Sequence, residues 1–336
     1  MASLTIEAVG PGATIQDGGR HGLLRFGVTP AGPMDWVAFE TANRVLGNPP
    51  AVAAIEIGLG GLTLTADAPV PLAFAGGGFA WTRGDRALPT AARVLLRPGE
   101  PLRARAGDWG AFAYCAVPGG LAGTPVMGSR ATHTRSALGG LDGRMLQTGD
   151  RLRTMQAGPD LDDVEIIASW LARSDAPIRV VLGPQDDHFT EAAVTTLLNA
   201  PFQLTAVADR MAYKLDGPTL AHALDFNIVS DGIALGAIQV SGDGRPMVLM
   251  ADRQPTGGYP KIAHVCRADI GRLAQLRPGD TCRFKAVEVT AARAALLAIE
   301  ARVADAHAQV SPLRLVPTTE SLLQANLIGG VTDGDV

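Results

Sequence analysis

Short apolar stretches, alternating or continuous and each closed off by glycine or proline, run through most of the chain. Residues 4–9, 54–59, 62–65, 72–75, 92–96 and 110–117 follow this pattern, and residues 178–182, 202–206, 233–240, 247–251 and 262–265 repeat it later. Runs of this length between turn residues predict strands. Helical spacing is rarer. Met34, Val37, Ala38, Thr41, Ala42, Val45 and Leu46 recur at the 3.6-residue period, so a helix is expected with Gly32 as N-cap, Pro33 at its first position and Gly47 in the left-handed turn that ends it. Asp35 would then lie in the first turn, where the helix dipole favours a carboxylate. Further helices are expected just before Asn199, over 269–276 and over 290–306. The expected fold is mainly β with a few helices, a β-rich α+β class.

A chain of 336 residues exceeds the usual size of one core. The polar, turn-rich interval 157–177 suggests an N-terminal β-rich lobe over 1–170, a second lobe over 171–310 and a tail over 311–336. Leu322, Leu323, Leu327 and Ile328 in that tail are expected to dock on a lobe or on a partner. One pattern occurs three times, at Leu96 to Arg103, Leu146 to Arg153 and Leu276 to Arg283: Leu-x-x-Gly-acid-x-apolar-Arg. Each copy predicts a turn that feeds a strand.

Composition narrows the function classes. The chain is 47% hydrophobic and 18% charged with a net charge of -4, which offers no basic surface for nucleic acid. No apolar run reaches membrane length, and the first residues lack the basic and apolar regions of a signal peptide, so a cytoplasmic location is expected. Three cysteines without a Cys-x-x-Cys spacing read as buried thiols. Asp187, His188 and Glu191 sit at the start of a helix, where acids need no metal, and no metal is expected.

The candidate chemistry lies in polar loops rich in glycine. The densest runs from Asp252 through Arg253, Gln254, Gly257, Gly258 and Tyr259 to Lys261, between two apolar runs that predict strands. Its lysine is notable, because only three lysines occur among the 29 Lys and Arg residues. Glycines there let backbone N–H groups approach a ligand. Gln16, Asp17 and Arg20 form a second such loop, for which simple pairing of Asp17 with Arg20 is the structural alternative. Ser129, Arg130 and Thr132 set a guanidinium beside two hydroxyls, which suits a carboxylate or phosphate. Gln239 is an amide in an apolar run and must find partners. His133 reads as a solvated or packed imidazole.

Taken together, these stretches resemble the biotin-dependent carboxyltransferase family, also called allophanate hydrolase subunit 2, which includes the C component of bacterial 5-oxoprolinase and Kip-type regulators. The resemblance rests on Gln16-Asp17-Gly18-Gly19-Arg20, Pro33-Met34-Asp35, Gly128-Ser129-Arg130, Gly139-Gly140 with Gly143-Arg144, and Gly183-Pro184-Gln185. It continues in Asp209-Arg210-Met211, Gly236 to Gln239, and Asp252-Arg253-Gln254 with Gly257 to Lys261. It implies two lobes of cyclophilin-like antiparallel β-barrel architecture. It also implies a subunit of an ATP-dependent amide (lactam) hydrolase, the C component of a 5-oxoprolinase that opens 5-oxoproline to glutamate with a related B-type partner. Two alternatives come with it: transfer of a carboxyl group from carboxybiotin to urea or a similar small amide, and a non-catalytic regulatory binding protein.

On this reading Lys261, Arg130, Tyr259 and Asp252 are the catalytic candidates. Gln16, Asp17, Arg20, Ser129, Thr132, Arg144, Asp209, Arg210, Gln239, Arg253, Gly257 and Gly258 are the substrate-binding ones. No Gly-x-x-x-x-Gly-Lys-Ser/Thr and no Met-Lys-Met sequence is present, so ATP would act through the complex and carboxybiotin on a separate carrier. Ala208, Ala212, Lys214 and Ser241 depart from the family pattern, which leaves the identity of the amide open.

Overall fold

The computed structural model describes residues 1–158 and 161–313. It is mainly antiparallel β, as expected, with three large sheets, a two-stranded ribbon and four α-helices among the described residues. The helices are α1 (Trp36–Val45), α2 (Glu191–Asn199), α3 (Arg267–Ala274) and α4 (Val289–Ala304). None of the described helices is long and apolar enough to cross a membrane. Leu322, Leu323, Leu327 and Ile328 of the expected tail lie outside the described residues.

Two sheets form the first half. One runs in the order Arg151–Arg153, Ser3–Val9, Leu62–Ala66, Leu102–Arg105, Ala80–Arg83, Arg86–Leu88. The other runs Thr14–Gln16, Ala54–Ile57, Ala113–Ala116, Val70–Ala75, Ala92–Leu96, Val164–Ile166, Val310–Pro312. Leu4, Ile6, Ile55, Leu64, Val94 and their neighbours fill the space between them, with Phe74 stacked on Trp81 at 4.0 Å. Leu62–Ala66 and Ala92–Leu96 alternate buried and half-buried positions, whereas Val70–Ala75 is buried throughout. The difference is α1, whose Ala38, Phe39 and Ala42 cover the outer face of that strand through Ala73 and Ala75. A strand covered on both faces has no use for polar positions.

The second half is built on an eight-stranded sheet that nearly closes into a barrel. Its order is Thr281–Cys282, Phe202–Ala208, Ala212–Asp216, Pro246–Leu249, Ala237–Val240, Lys261–Val265, Ile178–Leu182, Phe284–Ala286. Its core includes Val180, Leu197, Phe202, Leu215, Ile238, Val248, Ile262 and Phe284, and Met34 enters it from the first half. The apolar runs flanking the Asp252 to Lys261 loop are strands, but they are not neighbours. Ala237–Val240 lies between them, so the loop arches over that strand instead of closing a hairpin. The three cysteines are buried, and burial pushes the Cys115 and Cys282 thiols up to about 12.

Two local expectations are corrected. The first helix begins at Trp36 with Asp35 as N-cap, because its carboxylate accepts from the Val37 and Ala38 N–H groups at 3.1 Å and Gly32 has no side chain to do so. Residues 233–240 form a strand only from Ala237, because Gly236 takes φ 83° and Ile233 N–H instead donates to Pro255 O at 2.9 Å. The helix end is as expected, with Gly47 at φ 75°.

The triplicated sequence is one structural device. In each copy the acid backbone N–H closes a turn on the residue three before it, and its side chain accepts that residue's N–H. The glycine N–H of each copy donates to a carbonyl outside the turn, on Ala66, Ile6 and Leu204 respectively. Gly99, Gly149 and Gly279 have φ of 74°, 91° and 96°, and a Cβ added at any of them meets nothing within 4 Å. Replacing each by alanine therefore tests backbone conformation alone. Each of the three variants is expected to lose about 1 kcal/mol in urea unfolding, and a markedly unequal set would show that the three turns are not equivalent.

Candidate functional site

Asp17 binds its own turn to a distant segment. Its carboxylate accepts from Gly19 N–H at 2.9 Å, Ser129 Oγ at 2.5 Å and the backbone N–H of Arg130. A side chain on Gly19 would come within 2.9 Å of Pro30 O, so the turn closes only with glycine. Gln16 donates to Thr14 Oγ1 at 2.9 Å and Thr132 O at 3.0 Å and accepts from Gly32 N–H at 3.1 Å. Thr132 Oγ1 donates to Ile15 O at 2.9 Å. Arg20 does not form an ion pair with Asp17: its guanidinium donates to the carbonyls of Ala131 and Val126, and its Nη1 is buried without a partner among the described residues. Burial lowers the Arg20 pKa against the opposing pull of Asp17 and Asp252. Arg130 is half-exposed and donates from Nε to Gly123 O at 2.8 Å.

Arg210 joins the two halves of the chain. Nε and Nη2 grip the Asp252 carboxylate at 2.9 and 2.8 Å, Nη1 reaches Glu56, and Nη2 also donates to Gly32 O at 2.7 Å. Glu56 is fully buried and accepts as well from Tyr114 OH at 2.8 Å and Met34 N–H at 2.9 Å. Burial alone would lower the Arg210 pKa, but Asp252 and Glu56 outweigh it, so the guanidinium stays charged. Burial raises the Glu56 pKa, and Arg210 is the main group opposing that shift. A second polar joint lies nearby: Gln275 donates to Asp35 at 2.8 Å and accepts from Ala111 N–H at 2.8 Å.

Three other expected residues are engaged locally. Arg144 is held in two parallel 2.8 Å bonds by Asp150, and that pairing keeps the Asp150 carboxyl below its usual range. Asp209 accepts from Met211 and Ala212 N–H groups and pairs with Arg135 at 2.9 Å at the surface. Arg253 is buried, donates to Ile233 O at 3.0 Å, and is lowered to about 10 by burial.

A separate cluster surrounds Lys261. The lysine side chain is 1% exposed, yet its Nζ holds Asp231 at 2.9 Å, and the Asp231 side chain is 54% exposed. Gln185 and Lys261 exchange bonds, with each backbone N–H donating to the other residue at 3.1 Å. A β-bulge sets the direction of Lys261. Ile238 pairs with Ala263, but Gln239 pairs with Lys261, so Ile262 is the extra residue. In unbroken register Lys261 would oppose Val240 and face the other side of the sheet; the bulge puts it on the face of Gln239.

Gln239 donates to Tyr259 O at 3.2 Å, and its Oε1 is buried without a partner among the described residues. Gly257 packs against this amide, where a Cβ would lie 2.8 Å from Nε2. Asp231–Gly232 pairs with Thr256–Gly257 as the two-stranded ribbon, and Ile228 N–H donates to Gly258 O at 2.8 Å. Tyr259 is partly exposed at the rim.

Apart from Arg144, Asp209 and Arg253, which are engaged locally, and the half-exposed Arg130, the expected residues gather in distinct sets. Arg210 and Asp252 make the junction with Glu56 and Gly32, and Gln16, Asp17, Arg20, Ser129 and Thr132 tie together two loops of the first half beside it, while Lys261, Gln239, Gly257, Gly258 and Tyr259 form a separate cluster. Among the described residues no hydrogen bond links Lys261 to Arg130 or to the Gln16–Arg20 turn. Glu56 and Asp231 were not anticipated, and Gln185 entered only within the Gly183-Pro184-Gln185 motif, without a role. Glu56 had a readable signal, since an acid inside Ala53-Ala54-Ile55-Glu56-Ile57 has to find a cation. Asp231, in an ordinary Ser-Asp-Gly loop, had none. The cavity of about 780 Å³ beside α3 and α4, lined by Trp170, Arg179, Arg272 and Arg302 among others, contains none of the expected site residues.

The chain is matched over residues 26–286 by the family model described as carboxyltransferase domain, subdomain A and B. It is 36% identical over 281 residues to the C component of 5-oxoprolinase from Escherichia coli, covering 84% of this chain and 90% of that one. The same identity and alignment length are found with the corresponding 5-oxoprolinase component of Haemophilus influenzae, at 82% and 89% coverage. Among solved structures, Kluyveromyces lactis urea carboxylase superposes on 94% of this chain with a TM-score of 0.84 and 27% identity; the chain spans 31% of that protein.

The Lys261 hydrogen bond is the main cause holding the Asp231 carboxyl below its usual range. The ion pair should thus persist well below neutral pH and dissolve as pH falls through that depressed value. In a carboxyl-carbon NMR titration, Lys261→Met should move the Asp231 titration upward, toward the ordinary carboxyl range, with the Gly232 N–H still holding part of the depression. An Asp231 titration that does not move would contradict the pairing.

Proposed function

The chain belongs to the family of carboxyltransferase domains built from subdomains A and B, and on that premise we propose that it is the C component of an ATP-dependent 5-oxoprolinase. With a B-type partner and further subunits it opens 5-oxoproline to glutamate. The observation that carries this reading is the 36% identity to a 5-oxoprolinase component of which the chain covers 90%.

The chemistry suits the Lys261 cluster. When water adds to the lactam carbonyl, negative charge gathers on the amide oxygen before the ring C–N bond breaks and the nitrogen takes a proton. A fixed ammonium at that oxygen, in a site largely closed to water, stabilises the charge more than it would in solvent. Lys261 is that group in this reading. Arg130, which has no acid partner among the described residues, is assigned to the substrate carboxylate, and Tyr259 forms the rim. Asp252 acts through the junction by holding Arg210. ATP supplies the driving force when the complex uses it; no residue of this chain is assigned to its phosphates.

A second reading, carboxyl transfer from a carboxybiotin carrier to urea or a similar amide, is favoured by the superposition on urea carboxylase. The test is reconstitution with the partner subunits and assay of 5-oxoproline-dependent ATP hydrolysis. Lys261→Met is expected to lower kcat about 100-fold or more without altering the unfolding midpoint, and Arg130→Met to raise KM for 5-oxoproline. Wild-type kinetics in both variants would refute the assignments. Turnover that requires a biotin carrier would replace the first reading by the second. Tight stoichiometric binding to the partner without turnover would leave a regulatory protein.

A further inference from the structure

Gln239 presents an unusual combination. It is 1% exposed, its NH₂ is used, and its Oε1 is buried with no donor to accept from among the described residues. The direction of the amide follows from Tyr259, whose carbonyl can only accept and so takes the NH₂, leaving the oxygen facing away. A buried acceptor without a donor is rare and costly unless a partner arrives. Directly across the strand pair is Lys261, brought to the same face by the bulge at Ile262. Facing residues of this kind hold their Cβ atoms about 5 Å apart. The ammonium carries three N–H donors and shows one protein partner among the described residues, the exposed Asp231. A donor with spare capacity and an orphaned acceptor therefore share one face of the sheet.

We propose that Lys261 Nζ and Gln239 Oε1 together read the edge of an amide whose C=O and N–H point the same way, the ammonium donating to the oxygen and the glutamine accepting from the nitrogen. A lactam ring forces this cis arrangement, and urea and primary amides also present it. An ordinary secondary amide, being trans, points the two groups in opposite directions. The inference rests on the reading of the chain as an amide-processing subunit and deepens it. It explains how one scaffold serves either a lactam or urea: both readings need the same edge. The segment bearing Asp231 covers the pair, tied down by the two-residue ribbon and the Ile228 to Gly258 bond. Its carboxylate occupies the lysine until a ligand oxygen replaces it. Asp231 is the exposed half of the pair and returns to water when displaced, while the buried ammonium trades one oxygen partner for another and is never left unpaired.

The test is equilibrium binding of small probes to the full chain, alone and in complex with its partner subunits, with no need for turnover. The probes are 2-pyrrolidinone, γ-butyrolactone, which keeps the ring and carbonyl but lacks N–H, and N-methylacetamide, a trans amide. 2-Pyrrolidinone should bind about tenfold or more tightly than either of the others. In Gln239→Met its advantage over γ-butyrolactone should shrink to about twofold or less, and Lys261→Met should weaken both ring probes. Equal binding of the three probes, or no binding of any in either form, overturns the inference. If Gln239→Met does not fold, a crystal structure of the wild type with 2-pyrrolidinone decides: its N–H should lie within hydrogen-bond distance of Gln239 Oε1, and a ring seated elsewhere refutes the assignment. A complex that shows the preference but hydrolyses no 5-oxoproline contradicts the proposed function alone. One that turns over 5-oxoproline but shows no preference contradicts this inference alone.

Discussion

The Arg210 guanidinium is the constraint on which the arrangement of the two halves depends. It starts from the second half, grips Asp252 with two nitrogens, and reaches into the first half to Glu56 and the Gly32 carbonyl. Glu56 lies in a strand buried on both faces, and Arg210 is its only ion-pair partner among the described residues. Two buried carboxylates and one guanidinium are tolerable together, whereas a lone buried carboxylate is not. Tyr114, Met34 and Asp35 complete the network around Glu56, and Met34 goes on to pack in the core of the other half. Polar satisfaction and apolar packing thus fix the same joint.

This joint sorts the polar residues of the chain. Asp17, Ser129, Gln16 and Thr132 spend their hydrogen bonds on one another and on backbone, so their chemistry goes into holding loops. The Lys261 cluster is different. It places an ammonium, a spare amide oxygen and a glycine-lined approach together and leaves part of that capacity unused. Unused buried polar capacity points to a ligand more directly than does a dense set of charged residues already paired. A loop that arches from Asp252 to Lys261 physically connects the two regions.

Much of the fold was legible because its elements obey local rules. Strand positions followed from apolar runs between glycines and prolines, and the thrice-repeated turn could be read from a glycine and an acid at fixed spacing. Asp252 and Lys261 could be identified as polar loop residues, but not that they serve different clusters, since that depends on Ala237–Val240 inserting between their strands. The start of α1 was misplaced because Gly32 and Asp35 are both acceptable caps in sequence, and only the side-chain bonds to Val37 and Ala38 distinguish them. Asp231 and the bulge at Ile262 left no trace in the sequence. Both arise from pairing between segments far apart in the chain, and they determine which way Lys261 points.

Arg210 thus joins the two halves, and the loop from Asp252 to Lys261 leads from that joint to the proposed lysine-centred site. Scanning calorimetry of Arg210→Met against wild type examines this most directly. Removing the guanidinium leaves Glu56 and Asp252 buried and uncompensated, at a cost of about 3–5 kcal/mol. The wild-type chain should unfold in one transition, and the variant should show a lowered first transition separated from a second. A variant that unfolds in a single transition at the wild-type midpoint would contradict the claim that this residue joins the two halves.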